Sequence, residues 1–147
     1  MKPPHPVVMV RLLYVSRSTG PQTTTVTTSI LLQAQAHNKV QDITGVLCQG
    51  QGFFFQVLEG ERSRVNALYR RICTDTRHHD VELLNYEDIT ERRFGQWSMA
   101  LVNWSANDPV VKTQQPDADP YAAPGHQVLQ QVIARIATGQ AITTPAP

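Results

Sequence analysis

Gly52-Phe53-Phe54-Phe55-Gln56-Val57-Leu58-Glu59-Gly60 is the stretch around which the rest of the chain is read. A short run of aromatic and branched residues closed at both ends by glycine predicts a buried strand. Side chains alternate faces along a strand, so Gln56 shares a face with Phe54 and Leu58. A carboxamide with donors and an acceptor is thereby set among large apolar groups. Left without partners it costs about 1–3 kcal/mol. Taken alone, Gln56 reads as satisfying a backbone group or marking a strand edge.

Upstream, residues 43 to 49 form a second strand, joined to 53–59 through the glycine-rich Gln49-Gly50-Gln51-Gly52. Residues 7 to 16 are a near-continuous apolar run suited to a central strand, with Tyr14 on the face of Val10 and Leu12. Gly20-Pro21 marks a loop, and any of Thr23, Thr24 or Thr25 can cap a helix running to about Asn38. On that helix Ile30, Ala34, His37 and Asn38 lie close by their spacing of three and four, an odd polar end to an apolar stripe. Downstream, Val65, Leu68, Tyr69 and Ile72 recur at helical spacing within Glu61–Cys73, with the arginines on other faces. A polar loop, Asp75 to Asp80, follows. Residues 81–87 and 97–103 read as two more strands around the turn Glu91-Arg92-Arg93-Phe94-Gly95. The order strand, helix, strand, strand, helix, strand, strand predicts an α+β fold: a ferredoxin-like βαββαββ sheet with both helices on one face.

Beyond it, the composition of residues 104–124 is that of a linker. A C-terminal helix over 125–138 carries Val128, Leu129, Val132, Ile133 and Ile136 on one stripe. It must cover either the free sheet face or another subunit. Residues 1–8 and 139–147 read as a flexible start and a disordered tail.

At 147 residues, 41% hydrophobic and 17% charged, the chain supports one core. A net charge of +1 gives no electrostatic footprint for nucleic acid or an anionic membrane. No apolar run approaches the roughly 20 residues that span a bilayer, and the proline-rich start is no signal peptide. A cytoplasmic location is therefore expected. Cys48 and Cys73 are too few for a disulfide framework or a zinc site and read as inert core thiols.

Several residues remain unexplained by packing. Each alone has a plain reading: a buried Tyr14 packs, His78 is solvated, Asn38 caps a helix, and Trp97 and Met99, on one face of the last strand, belong to the core. Together with their neighbours they resemble a family, the BLUF domain, a blue-light sensor that uses FAD. The matching stretches are Leu12-Leu13-Tyr14-Val15-Ser16, Ala36-His37-Asn38, Ile43-Thr44-Gly45-Val46-Leu47 and Phe54-Phe55-Gln56-Val57-Leu58-Glu59-Gly60. They continue with Asp75-Thr76-Arg77-His78, Glu91-Arg92-Arg93-Phe94 and Trp97-Ser98-Met99. The resemblance covers residues 9–103 and is specific, because seven separated blocks keep their order and spacing.

That resemblance implies FAD between the two helices, with Tyr14 and Gln56 as the photoactive pair beside the flavin. It places Asn38 on the pyrimidine edge, Ile30 and Ile72 as the walls of the slot, and His37, Arg77 and His78 along its exposed side. A flat apolar ring with polar edges needs aliphatic walls and a few aimed amides. The implied event is light-driven electron and proton transfer between Tyr14 and the flavin with rearrangement of Gln56. Trp97 and Met99 then carry the change along the last strand to the C-terminal helix. A stand-alone photoreceptor of this type is no enzyme; it signals through a homo-oligomer or a downstream protein partner. The competing readings are a flavin-free ferredoxin-like interaction module and, more remotely, a small enzyme such as a phosphatase. The latter lacks a glycine-rich phosphate cradle ahead of a helix.

Overall fold

The computed structural model describes residues 7–104 and 119–137. Residues 1–6 of the expected flexible start (1–8), most of the linker and the tail lie outside the described residues. Strand β1 (Met9–Ser18) leads to helix α1 (Thr24–Gln41), then β2 (Thr44–Gly50), β3 (Phe53–Glu61), α2 (Arg62–Ile72), β4 (His78–Ile89) and β5 (Ala100–Asn103). The sheet runs β4-β1-β3-β2-β5, antiparallel except for the β2–β5 pair. This is the ferredoxin-like arrangement with one added edge strand. No helix among the described residues is long and apolar enough to cross a membrane.

Alternation on β1 builds both cores. Val10, Leu12 and Tyr14 face the layer that holds α1 and α2, with Leu31, Leu58 and Val65. Leu13 and Val15 face the other side, where Phe55, Val57 and Val102 meet Val128, Leu129 and Val132 of α3 (Gly125–Ala137). The C-terminal helix thus covers the sheet face opposite α1 and α2, which resolves the two possibilities its stripe left open. Each of its three buried aliphatic side chains contributes about 1.5–3 kcal/mol on removal from water. Gly125 lets it approach, since a Cβ there would stand 2.2 Å from the Leu84 carbonyl oxygen.

Several expectations need correction. Helix α1 does not end at Asn38; it continues to Gln41, and Asp42 closes it in the left-handed conformation with its N–H on the Asn38 carbonyl. Of the three candidate caps, Thr23 is the one used, its hydroxyl accepting from the Val26 amide at 3.2 Å. Strand β4 begins at His78, so the loop after α2 is shorter than its polar sequence suggests. Cys48 is buried but Cys73 is exposed, so only one is a core thiol. The presumed linker starts with Trp104 packed into the α3-side core and ends with the buried Pro120 of a short 3-10 turn, Pro120–Ala122.

The largest correction concerns the last strand, which starts at Ala100 rather than residue 97. Leu101 and Met99 face the α1/α2 layer, and strict alternation would put Trp97 with them. The backbone bends at Ser98 and Met99, so Trp97 packs into the α3-side core instead. Trp97 and Met99 therefore lie on opposite faces.

One buried carboxylate holds the approach to that bend. Glu59 on β3, fully buried, accepts from Arg11 Nε at 2.8 Å and from the amides of Arg93 (2.9 Å) and Phe94 (2.8 Å). Arg92 donates to the Asp42 carbonyl at 2.8 Å and to the Thr44 hydroxyl at 3.0 Å. The charged turn is thereby tied to β3 and to the α1–β2 connection.

Candidate functional site

Between α1 and α2, over the sheet face carrying Tyr14 and Gln56, lies a cavity of about 350 Å³. Tyr14, Ile30, His37, Asn38, Gln56, Ile72, Arg77 and His78, from five elements and the loop after α2, all line it. Trp97 does not, and Met99 reaches it through Gln56.

The floor is set by strand register. Tyr14 and Gln56 are direct partners in the β1–β3 ladder, and Leu47 lies opposite Gln56 on β2. The Tyr14 hydroxyl donates to Gln56 Oε1 at 2.5 Å. Burial first, then the nearby Asp75 carboxylate, pushes the phenol well above its usual pKa, so it stays a proton donor. With Oε1 engaged, the Gln56 NH2 group is turned to Met99, whose Sδ accepts at 3.6 Å. The Tyr69 ring leans against Tyr14 with centroids 5.8 Å apart. Burial, and then Cys73, pushes the Tyr69 phenol up to about 12.

The α1 side supplies Asn38, almost wholly buried at 1% exposure. Its Nδ2 donates to the Ser98 carbonyl at 2.9 Å, while its Oδ1 is buried with no hydrogen-bond partner. An unpartnered buried acceptor at a cavity wall is free to take a donor from a ligand. The imide N–H on the pyrimidine edge of a flavin is such a donor, and Ile30 and Ile72 are aliphatic walls of the kind a flat ring requires. The residues present fit the group.

At the mouth, Arg77 is held in a fork by Asp75, with Nε 3.0 Å from Oδ1 and Nη2 2.6 Å from Oδ2. Those hydrogen bonds hold the Asp75 carboxyl below its ordinary value. His78 is not a solvated loop residue. Its Nε2 lies 2.6 Å from the Ile72 carbonyl and so carries the proton, while Nδ1 meets the Ser16 hydroxyl at 2.7 Å. Its ring stands edge-on to Tyr14 and Phe54. His37 Nδ1 lies 3.2 Å from Arg71 Nη1, linking α1 to α2 across the opening.

Sequence reasoning passed over Phe54, Leu47, Leu68 and Arg71, all of which line the cavity. Phe54 was within reach, since it shares the Gln56 face. Arg71 carried no signal, because an arginine beside an apolar helical stripe ordinarily faces water.

The family described as BLUF, sensors of blue light using FAD, matches residues 9–100, and the chain belongs to it. Photoactivated adenylate cyclase subunit beta of Euglena gracilis is 33% identical over 112 residues, which are 76% of this chain and 13% of that protein. The blue light- and temperature-regulated antirepressor BluF of Escherichia coli (strain K12) is 40% identical over 68 residues, 46% of this chain and 17% of that protein. The chain thus spans less than a fifth of either curated relative. Among solved structures, the ground state of BlsA superposes with a TM-score of 0.75 at 29% identity, covering 86% of each chain. The chain is a blue-light-sensing domain, and its cofactor is FAD.

Proposed function

We propose that the chain is a blue-light photoreceptor whose photoactive pair is Tyr14 and Gln56, with its output leaving through Trp97–Met99, β5 and α3. The observation that carries this reading is the 2.5 Å hydrogen bond from a buried phenol to the Gln56 carbonyl at the cavity floor. When bound, FAD supplies blue-light absorption and a site for one electron and one proton. Tyr14 is the side chain placed to release both, and its hydroxyl proton already lies along the line to Gln56. Removal of that proton leaves Gln56 Oε1 without its donor. A carboxamide has opposite hydrogen-bond character at its two ends, so rotation or tautomerisation of Gln56 re-sorts its partners. Met99 is one of those partners, through its sulfur.

Ile30, Ile72 and Asn38 hold the ring, and His37, Arg77 and His78 stand at the exposed side. Trp97, across the bend from Met99, is the residue whose face changes if the bend is lost. Strand β5 then passes the change to the core beneath α3, where Val102 and Trp104 pack with Val128 and Val132. The recipient is a second copy of the chain or a downstream protein. An adenylate cyclase and an antirepressor among the relatives support an effector of some kind.

One measurement decides the core of this reading. Purified protein is expected to be yellow, and blue light is expected to shift its absorption reversibly to the red. A colourless protein that takes up no added FAD would overturn it, as would a Gln56→Leu variant with the full photocycle.

A further inference from the structure

Three consecutive backbone carbonyls ahead of β5 are held from outside their own strand. Trp97 O accepts from the Gly45 amide at 3.1 Å, Ser98 O from Asn38 Nδ2 at 2.9 Å, and Met99 O from Gln35 Nε2 at 2.9 Å. Ladder pairing with β2 begins only at Ala100, opposite Val46. In a regular strand successive carbonyls point to opposite sides. Here Ser98 and Met99 both present their carbonyls to α1, which is possible only because the chain bends at those two residues. Gln35 and Asn38, three apart, lie on the same face of α1, one turn from each other. The bend and the two amide contacts occur together.

We propose that Gln35, with Asn38, forms a two-pronged clasp that holds the Trp97–Met99 bend, and that Gln35 is a positioning residue for the switch. The proposal deepens the photoreceptor reading and rests on it. Met99 is fixed twice, its carbonyl by Gln35 and its sulfur by Gln56, so its place reports on both amides. Straightening residues 97–99 into strand turns one of the two carbonyls away from α1. By the same period of two it brings Trp97 round to the face of Met99. The segment therefore has two arrangements: clasped, with Trp97 against the α3-side core, and extended, with Trp97 on the cavity side. A change at Gln56 biases that choice through the Met99 sulfur, and Gln35 sets how strongly the clasped form is held. Gln35 does not line the cavity, so it acts on the switch without touching the flavin.

The test uses the FAD-loaded full chain and three variants. Gln35→Glu keeps the shape but presents only acceptors to the Met99 carbonyl. Gln35→Leu removes the donor, and Gln35→Lys restores an N–H donor on a long stem. In the dark, amide hydrogen exchange across residues 97–102 is expected to rise about 5-fold in Gln35→Glu and Gln35→Leu, the size of one lost hydrogen bond. It is expected to return towards the parent rate in Gln35→Lys. The dark flavin spectrum stays that of the parent in all three, and the lifetime of the red-shifted state follows the exchange ranking. Exchange unchanged in Gln35→Glu, or raised equally in Gln35→Lys, overturns the clasp. A chain that takes up no FAD defeats the photoreceptor reading alone. The dark exchange comparison, run on the protein as purified, then still decides the clasp.

Discussion

Tyr14 and Gln56 are directly opposed across the β1–β3 ladder, so the hydrogen bond between their tips is a consequence of register. Opposed side chains on one sheet face stand about 4.5–5.5 Å apart at Cβ, which suits a phenol and a carboxamide leaning over the same cavity. A slip of either strand by one residue would send its member of the pair to the α3 side. Tyr14→Phe leaves the packing and removes only the donor. It is expected to fold, bind FAD and lose the light-induced red shift, with a stability loss of about 1–2 kcal/mol from the stranded Gln56 carbonyl. Light-minus-dark absorption and a denaturant midpoint on the same preparation check both parts.

Asn38 has its two amide ends in different places, Nδ2 on the Ser98 carbonyl and Oδ1 buried without a partner at the cavity wall. Asn38→Leu fills the same volume but offers neither function. The loss of one ligand hydrogen bond is expected to raise the dissociation constant for FAD about tenfold. Fluorescence titration of flavin-stripped protein gives the number, and an unchanged affinity would show that Asn38 does not contact the cofactor.

The architecture was legible because local signals agreed with one another. The helical stripe Val65, Leu68, Tyr69 and Ile72, the glycine-rich hairpin and the apolar run of β1 each specified their element without tertiary help. The cavity residues were legible for a different reason, a pattern of separated blocks rather than any single side chain. What stayed hidden depends on backbone geometry. The bend at Ser98–Met99 overrides the alternation that made Trp97 and Met99 look like neighbours. Its carbonyls take donors from Gln35 and Asn38, 64 and 60 residues upstream. The carboxamide of Gln35 looks in sequence like any polar residue on a solvated helix face.

Glu59 joins β1, β3 and the Arg92–Phe94 turn through a carboxylate with no solvent exposure. Removing Glu59 leaves Arg11 with Glu87 alone, whose Oε1 its Nη1 meets at 2.6 Å, and leaves two amides without an acceptor. Glu59→Ala is expected to cost about 2–4 kcal/mol, chiefly from the two stranded amides, read as a fall in urea midpoint at constant slope. Because the turn it anchors leads into the bend, the variant is also expected to speed exchange at residues 93–99 ahead of global unfolding. A loss below about 1 kcal/mol would mean that water replaces the carboxylate at little cost.

His37 is a titratable group at the cavity mouth whose shift has a direction that can be tested. Burial, and then the Arg71 guanidinium, holds its pKa below the ordinary 6.5. A neutral imidazole accepts from Arg71 at Nδ1; a protonated one has no lone pair there and repels the guanidinium. A base with a lowered folded pKa binds fewer protons in the native chain than in the unfolded one between the two values. Its contribution therefore favours folding above pH 6.5 and is lost as the pH falls from 6.5 through the folded value. The titration midpoint of the His37 ring, followed by NMR, is expected below 6.5 in the parent protein. Arg71→Ala removes the second of the two causes and leaves the first, so the midpoint is expected to move up without passing 6.5. A midpoint that stays put in Arg71→Ala would mean that burial alone sets it and that the contact across the mouth carries no electrostatic weight.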